Sequence, residues 1–277
     1  MTKREITLGH SPDPDDAFMF YALAADKIDT GGLSFKHVIQ DIETLNRRAL
    51  NEELDVTAVS IHAYAHVLDK YALLTSGASM GDGYGPLVIS RKPMTLEELK
   101  QVTIAVPGTM TTAYLTLRLC VGEVETKVIP FDKIMDAVES GEVDAGLLIH
   151  EGQLTYLARG FNAVVDLGDW WKRETGLPLP LGGNAIRKSL GADLINTVSI
   201  LLRESIEYGL ANREVAVRHS MKYGRGMEEK LTDKFVGMYV NDYTIDYGEK
   251  GRDAVRLLLD RAHRAGIIPS PVHLEFV

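Results

Sequence analysis

Gly146–Tyr156 reads GLLIHEGQLTY. The apolar run before His150 predicts a buried strand over Val143–Ile149, and the polar and small residues after it end that strand. The segment leading in, VESGEVDAGLLIH (Val138–His150), has an earlier echo in LNEELDVTAVSIH (Leu50–His62). Both read as helix end, acidic turn, buried strand and polar exit. A second echo joins ITLGHSPDPDDAF (Ile6–Phe18) to VTIAVPGTMTTAY (Val102–Tyr114), each a strand, a proline-containing loop and a helix start. Two similar α/β lobes explain this better than one long sheet. The echo ends near Ser90, and the helical C-terminal part has no counterpart in the second pass. The simplest plan is discontinuous, with residues 1–89 and 182–277 forming one α/β lobe and residues 90–181 the other. The extended stretches Pro86–Ser90 and Leu179–Ala185 would connect them as hinges, giving a cleft that closes by hinge motion.

Ligands of open α/β sheets bind beyond the carboxyl ends of the strands. His150 lies at such an end and titrates near neutral pH when unperturbed, at about 6.5. It is therefore a candidate proton-transfer group, and the competing reading is a surface or capping histidine. Facing it across the cleft would be Ser11–Asp16 and the strand exit Ser60-Ile61-His62. From its own lobe comes Gly108–Thr112, where Thr109, Thr111 and Thr112 bring hydroxyls to a helix start with free N–H groups. Such a seat suits a carboxylate or phosphate, whereas plain N-capping by one threonine is the alternative. Asp13–Asp16 would serve as a loop, with Asp15 or Asp16 as helix cap. No nearby His or Cys completes a metal-ligand set with them. His62 and His66 lack the HExxH glutamate and read as packing or surface residues. Trp170 and Trp171 would either wall an aromatic ligand or belong to core and lid. The phosphate-binding GxxxxGK[ST], the GxGxxG fingerprint and the GxSxG elbow are all absent.

Composition narrows the classes further. The 277 residues are 45% hydrophobic and 25% charged, a globular profile long enough for one large domain or two ordinary ones. The formal net charge is −9, without a Lys/Arg run, so neither nucleic acid nor an anionic membrane is expected as a partner. The single cysteine, Cys120, cannot form an internal disulfide and sits in an apolar helical stretch, where a core position is expected. The first residues lack a signal-peptide pattern and no apolar run reaches membrane-spanning length, which predicts a cytoplasmic protein. Nothing in the sequence sets the oligomeric state.

Strands are predicted over Ile6–Leu8, Leu33–Ile39, Val56–Ile61, Val102–Val106, Lys127–Ile129 and Val164–Leu167. Helices are predicted over Ala17–Ala25, Glu43–Asn51, Ala63–Lys70, Leu96–Leu99, Thr112–Cys120, Lys133–Ser140, Leu194–Ala211, Leu231–Val240 and Arg252–Ala265. Trp170–Thr175 reads as the approach to a proline-rich segment.

Seven of these stretches occur in the order seen in 1,4-dihydroxy-6-naphthoate synthases of the futalosine route to menaquinone. They are SPDPDDAFMFYAL from Ser11, ETLNRRAL from Glu43, AVSIHAYA from Ala58, YGPLVISR from Tyr84, AVPGTMTTAYL from Ala105, GLLIHEGQLTY from Gly146 and DLGDWWKRETGLPLPLG from Asp166. The chain resembles that family densely from about Ile6 to Gly182 and more loosely beyond. The resemblance implies an α/β, two-lobed, periplasmic-binding-protein-like fold of type II in a cytoplasmic enzyme that uses no cofactor. It implies a small acidic substrate, cyclic dehypoxanthinyl futalosine, converted to 1,4-dihydroxy-6-naphthoate with release of dihydroxyacetone. By motif, the proton acceptor falls on His150. Substrate contacts fall on Ala58, Val59 and Ser60 and on Thr112 and Ala113, with Asn46 as a further contact and Thr111 beside the anion seat. This chain departs from the family's usual loop, Ser-Pro-Cys-Pro-Asn-Asp-Thr-Phe: Asp13 replaces the cysteine, Asp15 the asparagine and Ala17 the threonine. Ala58 stands where a lysine can occur. Added carboxylates beside an acidic substrate put the substrate in question more than the fold. Two other readings stay open, a non-catalytic solute-binding protein and chorismate dehydratase, a related lyase of the same route. The His-Glu exit and the Trp-Trp–Leu-Pro-Leu-Pro-Leu-Gly segment favour the synthase over the latter.

Overall fold

A computed structural model describes residues 3–277. Among these residues eleven strands form two sheets. The first holds β1 (Arg4–His10), β2 (Leu33–Ile39), β3 (Val56–Ser60), β4 (Tyr71–Leu73), β5 (Ser79–Gly81) and β11 (Leu179–Arg187). The second holds β6 (Leu87–Ser90), β7 (Ile104–Val106), β8 (Thr126–Val128), β9 (Ala145–Leu148) and β10 (Asn162–Asp166).

The two sheets repeat one plan, which accounts for the sequence echoes. In the first, the order is β2-β1-β3-β11-β4, with β1 parallel to both β2 and β3, and β11 antiparallel to β3. In the second, the order is β8-β7-β9-β6-β10, with β7 parallel to β8 and β9, and β6 antiparallel to β9. β1 thus matches β7, and β3 matches β9. In each sheet the antiparallel strand comes from a distant part of the chain. β6 carries the chain into the second sheet and β11 brings it back to the first. Pairing along β6 begins at Leu87 and along β11 at Leu179, so the chain has already crossed between the sheets before it reaches Ile89 and Gly182.

Both faces of each sheet are covered, which explains the near-continuous apolar runs. Every residue of β3, VTAVS, and of β9, AGLL, is buried. On β6, Val88 packs into one cluster with Ile104 and Leu117, whereas Leu87 and Ile89 pack into another with Ile134 and Val138. That is the two-residue alternation of a strand buried on both sides. The C-terminal helices Ala192–Ala211, Arg213–Ser220 and Glu229–Tyr239 cover the first sheet through Leu202, Ile206, Val217 and Val236, against Ile6, Leu8 and Phe18. Helix Gly248–Arg264 covers its other face through Val255, Leu258 and Leu259. Each such buried aliphatic side chain contributes about 1.5–3 kcal/mol.

Several local expectations are corrected. Asp13, and neither Asp15 nor Asp16, occupies the cap position of the first helix, which starts at Pro14 because a proline fits the first helical turn. The helix expected over Ala63–Lys70 is a single turn, Ile61–Tyr64. Trp170 and Trp171 lie in a helix, Leu167–Thr175, capped by the Asp166 side chain, which accepts from Gly168 and Asp169 N–H. Trp171 is fully buried, donates from Nε1 to Pro178 O at 3.0 Å and belongs to the core. Cys120 is only half-buried, and burial pushes its thiol up to about 11, which leaves it unreactive.

Candidate active site

The carboxyl ends of β1, β3, β7 and β9 converge on one cleft lined by residues of both lobes, the place where open α/β sheets bind small molecules. Ser60, Ala58 and Val59 of β3 line it from the first lobe, and Thr111, Thr112, Ala113 and His150 from the second. Of the residues on which the resemblance places a role, Asn46 alone lies outside the lining, and Thr109 of the expected anion seat lies outside it too. Asn46 is fully buried beneath Ser60, where its Nδ2 donates to Ser60 Oγ at 3.0 Å and its Oδ1 accepts from Ser60 N at 2.9 Å. Asn46 therefore fixes Ser60, whose own hydroxyl hydrogen stays available to a ligand.

The Gly108–Thr112 loop is held from across the cleft. Glu43 Oε2 accepts from Met110 N at 3.0 Å, and a Cβ on Gly108 would lie 2.3 Å from that same oxygen. The hydroxyls expected to meet an anion are engaged within the protein. Thr111 Oγ1 caps the helix by accepting from Tyr114 N at 3.1 Å, and Thr112 Oγ1 donates to Leu181 O at 2.5 Å. What the helix start offers instead is the N–H groups of Thr112 and Ala113, which have no acceptor within the helix. Among the described residues lining the cavity there is no Lys or Arg.

His150 follows β9 with φ +58°, a left-handed conformation uncommon for a side-chain-bearing residue. The turn carries its ring away from the strand direction and across the cleft. There Nδ1 lies 3.0 Å from Oδ2 of Asp13, which is 0% exposed. Phe131 packs edge-on against the imidazole, ring centroids 4.8 Å apart. Asp13 is held in turn by the Ser11 hydroxyl, donating to Oδ2 at 2.5 Å, and by Arg225, whose Nη1 is 3.1 Å from Oδ1. Arg225 also reaches Glu151 at 2.7 Å, and Tyr239 donates to Gln153 at 2.7 Å. Three side-chain pairs thus bridge the lobes around the cavity.

The electrostatics follow from this geometry. Burial opposes the His150 imidazolium, but the charge of Asp13 and its hydrogen bond together outweigh burial and raise the pKa above 6.5. Burial likewise opposes the Asp13 carboxylate, and His150, Ser11 and Arg225 overcome it, taking Asp13 down to about 2. Asp16 is raised by burial to about 6, although Ser11 N–H donates to it at 2.6 Å and Ser11 Oγ lies 2.8 Å away, its single hydrogen shared between Asp13 and Asp16. Asp15 is raised well above the carboxylate range, by burial first and then by the charges of Asp16 and Asp13. When the ring is neutral, with Nδ1–H donating to Asp13, His150 presents Nε2 as an acceptor. That nitrogen is buried and has no partner among the described residues. His62, by contrast, is neutral packing: burial, with His66 beside it, lowers it to about 4, and its Nδ1 faces Thr111 O at 3.3 Å. Among the described residues no group of three or more His, Cys, Asp or Glu side chains is placed to hold a metal ion.

Asp13 as the histidine's partner was not legible as such in the sequence; its departure from the family loop was the only signal. Arg225 gave no signal, since it lies between helices in an unpatterned stretch.

Comparison with known proteins agrees with this architecture. A family model described as menaquinone biosynthesis matches residues 6–264. A 1,4-dihydroxy-6-naphthoate synthase from Thermus thermophilus is 41% identical over 267 residues, covering 96% of this chain and 97% of that protein. One from Streptomyces coelicolor is 38% identical over 276 residues, covering 98% and 97%. A crystal structure of an Archaeoglobus fulgidus protein superposes with a TM-score of 0.92 at 48% identity, over 95% of this chain and 98% of that one. An alkanesulfonate-binding protein from Xanthomonas axonopodis, 11% identical, superposes with a TM-score of 0.71 over 98% and 96% and shares the fold alone. With its two repeated sheets, its interlobe cleft and matches along nearly its whole length, the chain belongs to the menaquinone-biosynthesis family and has the two-lobed, periplasmic-binding-protein-like fold.

Proposed function

We propose that this protein is a cofactor-independent carbon–carbon lyase that converts cyclic dehypoxanthinyl futalosine to 1,4-dihydroxy-6-naphthoate and dihydroxyacetone, with His150 as general base. The observation that carries the reading is the His150 geometry: Nδ1 bonded to a buried carboxylate, and Nε2 buried and unpartnered on a side chain that lines the cavity. An aspartate in this position holds the imidazole in one tautomer and stabilises the imidazolium as it forms. Ring-opening and aromatisation require a proton to leave a carbon next to a carbonyl, and a positioned base typically contributes about 10²–10⁴-fold. The substrate carboxylate would sit on the N–H groups of Thr112 and Ala113, Ser60 would donate to a substrate oxygen, and Ala58, Val59 and Thr111 would shape the walls. Lobe closure would keep water from the intermediate.

The same reading places the protein in the cytoplasm with a small acidic molecule as its partner. No helix of the described residues is long and apolar enough to cross a membrane. It also divides the chain into a discontinuous lobe, residues 1–89 and 182–277, and an inserted lobe, residues 90–181. The test is single-turnover kinetics on the cyclic substrate with the unaltered protein and His150→Asn. The variant should lose at least about 10²-fold in turnover with substrate affinity largely kept. Equal turnover in the two would remove His150 from the role.

A further inference from the structure

Two buried polar atoms of the cavity-lining side chains point to what completes the site. His150 Nε2 and Asp15 Oδ1 are both buried, and neither has a partner among the described residues. An unpaired buried polar group costs stability, so a pair of them on one cavity marks where a ligand supplies the missing bonds. The two atoms ask for opposite things. In the neutral imidazole, the form that acts as base, His150 Nε2 accepts, because Nδ1 carries the hydrogen given to Asp13.

Asp15 belongs to a set of three carboxyl groups within four residues, and the other two have their charges accounted for. Asp13 meets His150 and Arg225, and Asp16 meets the N–H and hydroxyl of Ser11. Asp15 makes no ion pair among the described residues; the His150 charge favours its carboxylate, but burial and its two carboxyl neighbours outweigh it. Of the three it is the one for which carrying a proton is cheapest, and the direction of its shift agrees. A protonated carboxyl donates one hydrogen bond.

We propose that Asp15 is a second catalytic residue, whose carboxyl hydrogen bonds to the substrate carbonyl oxygen while His150 removes the proton from the neighbouring carbon. The inference rests on the lyase reading above. In the step, the C–H pair becomes the new C=C bond, the carbonyl π pair moves to oxygen, and that oxygen is held or protonated by the Asp15 O–H. The proton taken by His150 balances the charge, and no other reactant enters. The arrangement also accounts for a cavity that receives an acidic molecule without a lining Lys or Arg: one of its carboxyl groups is neutral.

The test uses the full chain with Asp15→Asn, which still donates but cannot titrate, and Asp15→Ala, which does neither. Thermal unfolding confirms that each variant folds. Removing an oxyanion donor lowers the rate by about 10²–10³-fold, so Asp15→Ala should lose about that much in kcat, while Asp15→Asn stays within about tenfold of the unaltered protein. The alkaline limb of the unaltered protein's pH profile, where the donor ionises, should be missing in Asp15→Asn. Asp15→Ala with unchanged kcat, or an alkaline limb that persists in Asp15→Asn, overturns the proposal. Carbon NMR of aspartate-labelled protein supplies a readout without turnover: one carboxyl protonated at pH 7, its signal lost in Asp15→Asn. If the unaltered protein gives no product, the lyase reading fails, while an Asp15 seen ionised at pH 7 overturns the donor on its own.

Discussion

Replacing Asp13 by Asn removes one charge from a contact of 3.0 Å to His150 and leaves a hydrogen-bond acceptor of nearly the same shape. Asp13 is fully buried, so solvent screens the pair little. Two unit charges about 4 Å apart interact by about 4 kcal/mol at an effective dielectric of about 20. Carboxylate partners shift a neighbouring group by about 1–3 pKa units, or about 1.4–4 kcal/mol. The imidazolium that forms during proton transfer should lose stabilisation in that range, so kcat should fall about 10- to 10³-fold. The His150 titration should move to lower pH by at least about one unit, and the acid limb of kcat/KM with it. Stability gives an independent sign. His150 has a raised pKa, so its share of the stabilisation is full below about 6.5 and is lost as pH rises through the raised value. Asp13 has a depressed pKa, so its share is present above about 3.8 and is lost as pH falls toward about 2. The penalty of Asp13→Asn on the melting temperature should therefore be largest between roughly pH 4 and 6.5 and shrink above it. The assay is an NMR titration of the His150 ring beside a kcat/KM profile and melting curves. An unchanged His150 titration in Asp13→Asn would refute the reasoning.

Arg225→Met takes away the guanidinium that joins Asp13 and Pro12 of one lobe to Glu151 of the other. KM should rise several-fold and small-angle scattering should report a more open molecule; identical scattering and KM would argue that this bridge does not hold the lobes. Gly77→Ala puts a Cβ 2.0 Å from Asn184 Nδ2 at a residue with φ +87°, which should cost about 1–3 kcal/mol. A loss of about 2–4 °C in Tm is expected for each kcal/mol, and an unchanged Tm would contradict the crowding. Thr111→Val removes the cap of helix Thr112–Val121, a loss of about 1 kcal/mol. Calorimetry with a carboxylate analogue of the substrate should show weaker binding, and equal affinity would move the anion seat elsewhere.

What the sequence made legible was whatever depends on short-range pattern. Leu33–Ile39 and Leu96–Leu99 have the boundaries expected of them, because alternation marks the strand and the Thr95–Glu98 capping box marks the helix. The repeated lobes were readable because β3 and β9 are buried along their whole length and follow the same helix-end pattern. β4 and β5 escaped because three residues carry no period; pairing with β11 makes them strands. Helix Arg213–Ser220 escaped because its apolar residues are few and only tertiary contacts with Phe18 and its neighbours define a buried face. The strand-exit residues of the cleft, Ala58–Ser60 and His150, were named in advance, since strand exits are local features, whereas Met19, Phe235 and Tyr239 were not, since helices distant in sequence bring them there. The Asp13–His150 contact was not, for it joins residues on opposite lobes and exists only once the lobes meet. The same holds for Asn46, whose place beneath Ser60 depends on how helix Ile42–Leu50 packs on β3.

The central claim is the reaction itself, and the most direct test is to incubate the purified protein with cyclic dehypoxanthinyl futalosine and quantify both products by mass spectrometry. The account predicts 1,4-dihydroxy-6-naphthoate and dihydroxyacetone in equal amounts, growing over many turnovers without added metal or cofactor. Tight binding of the substrate with neither product formed would contradict it and leave a two-lobed solute-binding protein in its place.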